Sequence, residues 1–322
     1  MLIPVLLFAL GLVALIKGGD WFVDGAAGIA RRFRLPDIVV GATVVSIGTT
    51  LPEVMVSATG ALNGQGAMAY GNAIGSIICN TALIAAISVA LNPGKVNTQS
   101  MKMPVTFFFG AAALYCVAAY ALGDFTRPIG IIMLCIFACY MVLTVRQGLK
   151  NPEKTQEDDE ESGKPKALWQ ELLLLVVGAA LIAVGADLLV DNGTIIAQKL
   201  GVPETVIALT FVALGTSLPE LVTTITSLRK GRASLGIGNV IGANVFNLVL
   251  VSGISVTLAP FEVPVGKMLM GQNASLVLDI PLMIAVMLLL TVPALLKKRL
   301  DRWQGITLLV IYAAFCTFQF FL

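Results

Sequence analysis

The sequence predicts an all-α integral membrane protein of ten transmembrane helices, arranged as two inverted repeats of five helices each. Three observations support this fold class. Of the 322 residues, 57% are hydrophobic and 12% are charged, with a mean hydropathy of +0.90, whereas a soluble domain is about 25% charged. Apolar runs near the ~20 residues that cross hydrocarbon recur along the chain. The chain also repeats its own polar motifs at a fixed offset.

The repeat has an offset of 167 residues. Over residues 11–80, 23 of the 70 residue pairs at this offset are identical, and no gap is needed. Two unrelated apolar segments would not agree at polar positions, as these do. The polar matches include Asp20 with Asp187, Asp24 with Asp191, Glu53 with Glu220, and Asn80 with Asn247. We therefore predict an internal duplication, with a first repeat over 1–149, a linker over 150–167 and a second repeat over 168–322.

The first helix of the duplicated unit has a polar inner end. Asp20 and Asp24 are one turn apart and lie on one face, where they can pair with Lys17 or with the arginines at 31–34. Ion binding by these carboxylates is the alternative to ion pairing. The predicted helices follow one another at about 2–30, 35–62, 67–91, 103–122, 128–149, 168–199, 202–228, 234–259, 272–293 and 303–321.

The second helix carries a proline and a carboxylate in the middle of an apolar run, in the motif Gly48-Thr-Thr-Leu-Pro-Glu53. A charge at the centre of a membrane helix costs roughly 2.5–3.5 kcal/mol. Pro52 has no N–H, so the carbonyl of Gly48 loses its helical partner. The hydroxyls of Thr49 and Thr50 lie in the same turn. Such a cluster of oxygens suits a hard cation, and a packing kink around a protonated glutamate is the alternative.

The third helix presents a polar stripe. Asn72, Ser76 and Asn80 are spaced four apart and share one helix face. Gly71 and Gly75 form a small-xxx-small surface on which we expect another helix to pack closely. The glutamate motif and this stripe both recur in the second repeat. The second copies are Gly215-Thr-Ser-Leu-Pro-Glu220 and Gly238-Asn-Val-Ile-Gly-Ala243, the latter followed by Asn247.

Basic residues predict the orientation of the repeats. Loops after odd-numbered helices carry more Lys and Arg than loops after even-numbered helices. The odd loops are therefore predicted to be cytoplasmic, with both termini outside. Because each repeat has five helices, the second enters the membrane from the opposite side. Inverted repeats are typical of secondary transporters with a midplane site, so Glu53 and Glu220 should meet near the centre, each with an amide from the following helix.

The paired motifs resemble the two alpha-repeats of the cation/calcium exchanger superfamily, and especially its prokaryotic sodium/calcium antiporter branch. The resemblance implies ten helices and four ion sites between helices 2, 3, 7 and 8. It also implies that helices 1 and 6 slide to expose those sites alternately, and that backbone carbonyls near Ser46 and Ala213 contribute. Together with the repeat, it gives the candidate ligands Glu53, Glu220, Thr49, Thr50, Thr216, Ser217, Ser76, Asn80 and Asn247.

The expected function is exchange of Na⁺ for Ca²⁺ across the cytoplasmic membrane by alternating access. We expect no enzyme activity, no cofactor and no nucleic-acid partner. The expected partners are the two ions and the lipid bilayer, and the expected state is a monomer. Two carboxylates with neutral oxygens suit one Ca²⁺ or several Na⁺, and this competition is a physical basis for exchange.

Two residues depart from the symmetry or from the family pattern. Ala243 stands where the first repeat has Ser76, so one hydroxyl is missing. Asn247 stands where potassium-dependent members carry an aspartate, which argues against obligatory K⁺ transport. An H⁺/Ca²⁺ antiporter, a K⁺-dependent Na⁺/Ca²⁺ antiporter, a cation channel and an intramembrane acid/base enzyme remain as alternatives. The sequence gives no role for Asp279.

Overall fold

The computed structural model describes residues 2–150, 167–200, 215–265 and 268–319. Nearly all of the predicted linker over 150–167 lies outside the described residues. The same is true of Ala213 and of the first part of the predicted seventh helix. The predicted domain division therefore stays a prediction.

Ten helices are present in the described part of the chain. Eight of them are long and apolar enough to cross a membrane. The other two, α7 and α10, occupy the places of the predicted seventh and tenth spans, so the count of ten membrane crossings stays a prediction. The helices are α1 (Leu2–Phe33), α2 (Asp37–Leu62), α3 (Gly66–Leu91), α4 (Thr98–Leu122), α5 (Arg127–Lys150), α6 (Leu168–Lys199), α7 (Leu218–Arg229), α8 (Ala233–Leu258), α9 (Ser275–Lys297) and α10 (Arg302–Gln319).

The helices divide into a buried centre and a peripheral pair. In their most apolar windows, α8 is 83% buried and α3 is 72% buried, whereas α1 and α6 are each 22% buried. The largest apolar cluster joins α3 and α8 to α4, α5 and α9. A smaller cluster joins α1 and α6 to α2. Since α1 and α6 expose many large apolar side chains, they present these to the lipid.

The peripheral helices α1 and α6 pack closely and run in opposite directions. Gly11 faces Gly185, and Gly18 faces Gly178. A Cβ atom added to Gly11 or Gly18 would lie 2.9 Å from the carbonyl oxygen of the facing glycine, so the two backbones touch. These glycines are themselves pairs at the 167-residue offset. The two repeat-related helices therefore meet through equivalent residues and lie antiparallel.

Short antiparallel strand pairs join the loops. One pair joins the α3–α4 loop to the α9–α10 loop, and another joins the α4–α5 loop to the α8–α9 loop. Each of these two pairs brings together two loops for which the sequence predicts the same side of the membrane, and a third pair lies within the α8–α9 loop. The strands are Gly94–Lys95 with Arg299–Leu300, Asp124–Phe125 with Phe261–Glu262, and Met268–Leu269 with Gln272–Asn273.

The close helix packing predicted at Gly71 and Gly75 stays a prediction, because residues 205 and 209, at the positions equivalent to the α2 partners of the second glycine pair, lie outside the described residues. A Cβ atom at either position would meet nothing within 4 Å in the described part of the chain. The close approach occurs at the repeat-related residues Gly238 and Gly242 of α8. A Cβ at Gly242 would lie 2.5 Å from the Cα of Ala42 in α2. The second repeat thus uses its glycine pair for packing against α2 of the first repeat.

Ion pairs connect α1 to the second repeat. The Nζ atom of Lys230, just after α7, donates to Asp24 Oδ1 at 2.7 Å and to the backbone oxygen of Asp20 at 2.8 Å. Ion pairing of these aspartates was expected, but the partner is Lys230 and not Lys17 or the arginines at 31–34. Arg32 pairs with Glu171 of α6 at 3.0 Å, so one of those arginines also bridges the repeats.

Candidate cation-binding site

Two fully buried glutamates lie at the centre of the candidate site. Glu53 in α2 and Glu220 in α7 are each 0% exposed. Their prolines differ in setting. The α2 helix continues through Pro52, whereas α7 begins at Leu218 with Pro219 in its first turn, where the missing N–H is tolerated. The same Leu-Pro-Glu sequence therefore sits inside one helix and at the start of the other.

The two repeats meet at these carboxylates. Thr50 Oγ1 of the first repeat donates to Glu220 Oε1 of the second at 3.5 Å. Since Thr50 lies one turn before Glu53 in α2, this bond brings Glu220 next to the turn that carries Glu53. The structure therefore brings together the two acids that the duplicated motif singled out, with a hydroxyl of one repeat against the carboxylate of the other.

Two further hydrogen bonds cross between the repeats in matching positions. Thr49 Oγ1 donates to Asn239 Oδ1 at 3.1 Å, and Thr216 Oγ1 donates to Asn72 Oδ1 at 3.3 Å. Both threonines and both asparagines are pairs at the 167-residue offset. A hydroxyl that donates its proton keeps lone pairs that can face a cation. These bonds thus fix the threonine hydroxyls with their oxygens available.

The asparagines of these bonds were missed as members of the site. Asn72 was placed in the polar stripe of the third helix, and Asn239 was not singled out. Asn72 Nδ2 also donates to Ser57 Oγ at 2.8 Å, which ties α3 to α2. The offset alone could have found this pair, because it matches Asn72 with Asn239 in the same segment that matches the two threonines.

Asn80 and Asn247 lie at irregular points of the two central helices. Each is fully buried and begins a π-helical turn, Asn80–Ala85 in α3 and Asn247–Val251 in α8. Such turns are rare and frequent at functional sites. Neither side-chain amide has a hydrogen-bond partner within the described residues. Two repeat-related amides are therefore held in the core with free oxygens.

Other oxygens of the candidate ligands are also buried without a hydrogen-bond partner in the described part of the chain. Among the described residues, both carboxylate oxygens of Glu53, Oε2 of Glu220 and Oγ of Ser217 are buried without a hydrogen-bond partner. A buried polar group left unsatisfied costs about 1–3 kcal/mol, so such a concentration needs an explanation. Carboxylate, amide and hydroxyl oxygens are the ligands of hard cations such as Ca²⁺. The donor set fits a cation of that kind.

The site is not symmetric. Ser76 is 4% exposed, and Ala243 at the repeat-related position is 0% exposed and has no hydroxyl. Within the described residues, no group of three or more His, Cys, Asp or Glu side chains could hold a metal ion. The negative charge described at the site comes from Glu53 and Glu220.

These features are those of a multi-pass membrane transporter for cations. The chain belongs to the sodium/calcium exchanger protein family, whose model matches residues 3–146 and 171–321. This family comprises transporters and not enzymes. Membership confirms the predicted family and the predicted class of cation exchange.

Several similar proteins support this assignment. The sodium/calcium exchanger MaX1 of Methanosarcina acetivorans is 30% identical, with 98% of each chain covered. The putative antiporter CaxA of Alkalimonas amylolytica is 33% identical, covering 100% of this chain and 99% of that protein. The solved structure of the sodium-calcium exchanger NCX_Mj, soaked with Na⁺ and Sr²⁺, matches with a TM-score of 0.80 and 31% identity over 97% of each chain.

Proposed function

We propose that this protein exchanges Na⁺ for Ca²⁺ across the cytoplasmic membrane by alternating access, with the ions bound between Glu53 and Glu220. The observation that carries the proposal is the pair of fully buried glutamates, one from each repeat, with Glu220 accepting a hydrogen bond from Thr50 of the other repeat. An unpaired buried carboxylate is strongly unfavourable. Two such groups side by side call for a cation that neutralises both.

The charge of this pair supports exchange. One Ca²⁺ or two Na⁺ neutralise two ionised carboxylates, and either ion is completed by neutral oxygens. We propose that these come from the remaining candidate ligands, which are Thr49, Thr50, Thr216, Ser217, Ser76, Asn80 and Asn247. Because the empty site is doubly negative and the fully loaded site with both ions is positive, neither crosses the membrane interior readily. Only a compensated site moves, which couples the two ions.

The packing of α1 and α6 supports inverted repeats and alternating access. In an inverted repeat, equivalent helices run antiparallel, as α1 and α6 do at their glycine contacts. The two strand pairs between loops likewise agree with odd-numbered loops on one side and even-numbered loops on the other. A peripheral pair with few buried side chains can slide against the buried centre. We propose that this motion exposes the site to each side in turn.

Na⁺ is proposed as the coupling ion because the site has two acids. Asn247 contributes an amide where potassium-dependent members have a carboxylate, so the charge for an additional K⁺ is missing. Relatives with sodium in their names, MaX1 and NCX_Mj, agree with this choice. We further propose a monomer without a cofactor, with both termini outside the cell.

Uptake of ⁴⁵Ca²⁺ into proteoliposomes tests this function. We expect an outward Na⁺ gradient to drive uptake, and we expect no uptake from a K⁺ gradient or from a pH step alone. Vesicles without protein are the control. Uptake driven by the pH step would instead identify the H⁺/Ca²⁺ antiporter. A dependence on K⁺ together with Na⁺ would identify the K⁺-dependent antiporter, and Ca²⁺ flux without any counter-ion would identify a channel.

A further inference from the structure

Helix α7 carries a row of buried hydroxyls that the proposed site does not use. Thr223, Thr224 and Ser227 lie three, four and seven residues after Glu220, so they share its helix face. They are 0%, 1% and 0% exposed. None of their hydroxyls has a hydrogen-bond partner within the described part of the chain. Such hydroxyls commonly bond the carbonyl four residues back, as Thr291 does in α9 at 2.6 Å.

This row belongs to the second repeat. The residues of α2 that correspond to Thr223 and Ser227 are Val56 and Gly60, which have no hydroxyl. Along the equivalent face of α2, an ion leaving Glu53 would meet one serine, Ser57. The row is therefore not a general consequence of the duplicated sequence.

Of the three positions in this row, only that of Ser57 and Thr224 carries a hydroxyl in both repeats. This hydroxyl is hydrogen-bonded in the first repeat and has no described partner in the second. Ser57 Oγ accepts a hydrogen bond of 2.8 Å from Asn72. At the equivalent positions, Thr224 Oγ1 and Asn239 Nδ2 both lack a partner among the residues that the structure describes. The polar groups on this face of α7 are thus left available to another ligand, whereas the matching groups on α2 satisfy each other.

The row leads from the site to a charged cluster at the surface. Ser227 lies three residues before Lys230, whose ammonium bonds Asp24 at 2.7 Å. The side chains of Lys230 and Asp24 are 27% and 48% exposed. The row therefore connects the buried carboxylate of Glu220 with the end of the molecule that carries the α7–α8 loop, which the basic residues predict to be cytoplasmic.

We propose that Thr223, Thr224 and Ser227 form a path along which the transported cation moves between the carboxylate pair and the α7–α8 end. The proposal rests on the proposed function. Hydroxyl oxygens replace part of the hydration shell of a cation but carry no charge, so they let it pass without trapping it. A conducting path needs binding of that intermediate strength. At the outer end, Asp24 neutralises the charge of Lys230, which lowers the repulsion that this ammonium exerts on a passing cation.

Rate and binding measurements on three variants test the path. Thr223→Val and Ser227→Ala each remove one hydroxyl of the row. The control is Thr291→Val, which removes a buried hydroxyl that is satisfied within its own helix. We expect the two path variants to exchange Na⁺ for Ca²⁺ about tenfold more slowly at saturating ions. Equilibrium binding of ⁴⁵Ca²⁺ to the detergent-purified protein should stay at the wild-type level in all three.

Three outcomes overturn the path. Unchanged exchange in both path variants means that the row only packs. Loss of ⁴⁵Ca²⁺ binding means that these hydroxyls belong to the site itself. Equal slowing in Thr291→Val means that loss of any buried hydroxyl has this effect. If the wild-type protein binds Ca²⁺ but exchanges no Na⁺, the proposed function fails, and Ca²⁺ flux in the same variants still tests the path.

A charged thiol reagent gives a second test that does not depend on the rate variants. Ser227→Cys places a thiol in the row. We expect a membrane-impermeant methanethiosulfonate added at the α7–α8 side to inhibit this variant, and to leave the wild-type protein, with its five native cysteines, unaffected. Failure of the reagent to reach position 227 during turnover contradicts a path for hydrated cations.

Discussion

Glu53→Gln and Glu220→Gln are each expected to abolish Ca²⁺ exchange. Glutamine keeps the size of the side chain and removes one of the two negative charges that face the ion. A pair of unit charges 4 Å apart interacts by about 4 kcal/mol at the effective dielectric of a protein, and Ca²⁺ carries two charges. Each 1.4 kcal/mol is a factor of ten in affinity, so the loss of Ca²⁺ affinity should be about a thousandfold or more.

A buried carboxylate outside the site provides the control for these variants. Glu171 is 5% exposed and pairs with Arg32 at 3.0 Å, and it is not one of the candidate ligands. We expect Glu171→Gln to retain exchange, with some loss of stability. The measurement is Na⁺-dependent ⁴⁵Ca²⁺ uptake at matched protein levels. Wild-type exchange by either Glu53→Gln or Glu220→Gln would refute the assignment of both carboxylates as ligands.

Gly242→Ala is expected to destabilise the protein strongly, whereas Gly75→Ala is not. A methyl group at Gly242 would collide with Ala42 and with the hydroxyl of Ser46 on α2. Overpacking of this kind typically costs about 1–3 kcal/mol. Among the residues that the structure describes, no atom lies within 4 Å of a Cβ added to the repeat-related Gly75. Alanine there gains up to about 1 kcal/mol of helix propensity over glycine.

Thermal unfolding of the two variants in the same detergent measures this difference. The pair is well matched, because both glycines occupy the same place in the duplicated motif and both changes add one methyl group. We expect Gly242→Ala to unfold at a lower temperature than the wild type and Gly75→Ala to unfold at the same temperature or higher. The reverse order would mean that the α2–α8 contact is not as close as described.

The polar residues of the sequence were sufficient to find the two acids of the site. A glutamate inside an apolar run is unfavourable, and the repetition of its motif at the 167-residue offset identified Glu220 from Glu53. The cost of roughly 2.5–3.5 kcal/mol for a charge at the centre of a membrane helix makes such positions easy to see. For the same reason, the spans of most helices could be predicted to within a few residues.

The contacts between the repeats could not be predicted in this way. Helix periodicity tells which residues share a face, but the partner of that face depends on how helices far apart in sequence pack. Asp24 pairs with Lys230, more than 200 residues away, although arginines lie much closer in the chain. The contact of Gly238 and Gly242 with α2 likewise joins segments about 200 residues apart. Such contacts depend on the packed structure, which helix periodicity alone does not give.

The central claim is that the two repeats hold one divalent cation between Glu53 and Glu220. Anomalous diffraction from crystals soaked in Sr²⁺ tests it directly, because Sr²⁺ has the ligand preferences of Ca²⁺ and a strong anomalous signal. We expect an anomalous peak in contact with both carboxylates, at a distance from their oxygens near the ~2.3–2.6 Å at which Ca²⁺ binds oxygen. This peak should weaken as Na⁺ is added. A peak that contacts neither carboxylate, or one that Na⁺ leaves unchanged, would contradict it.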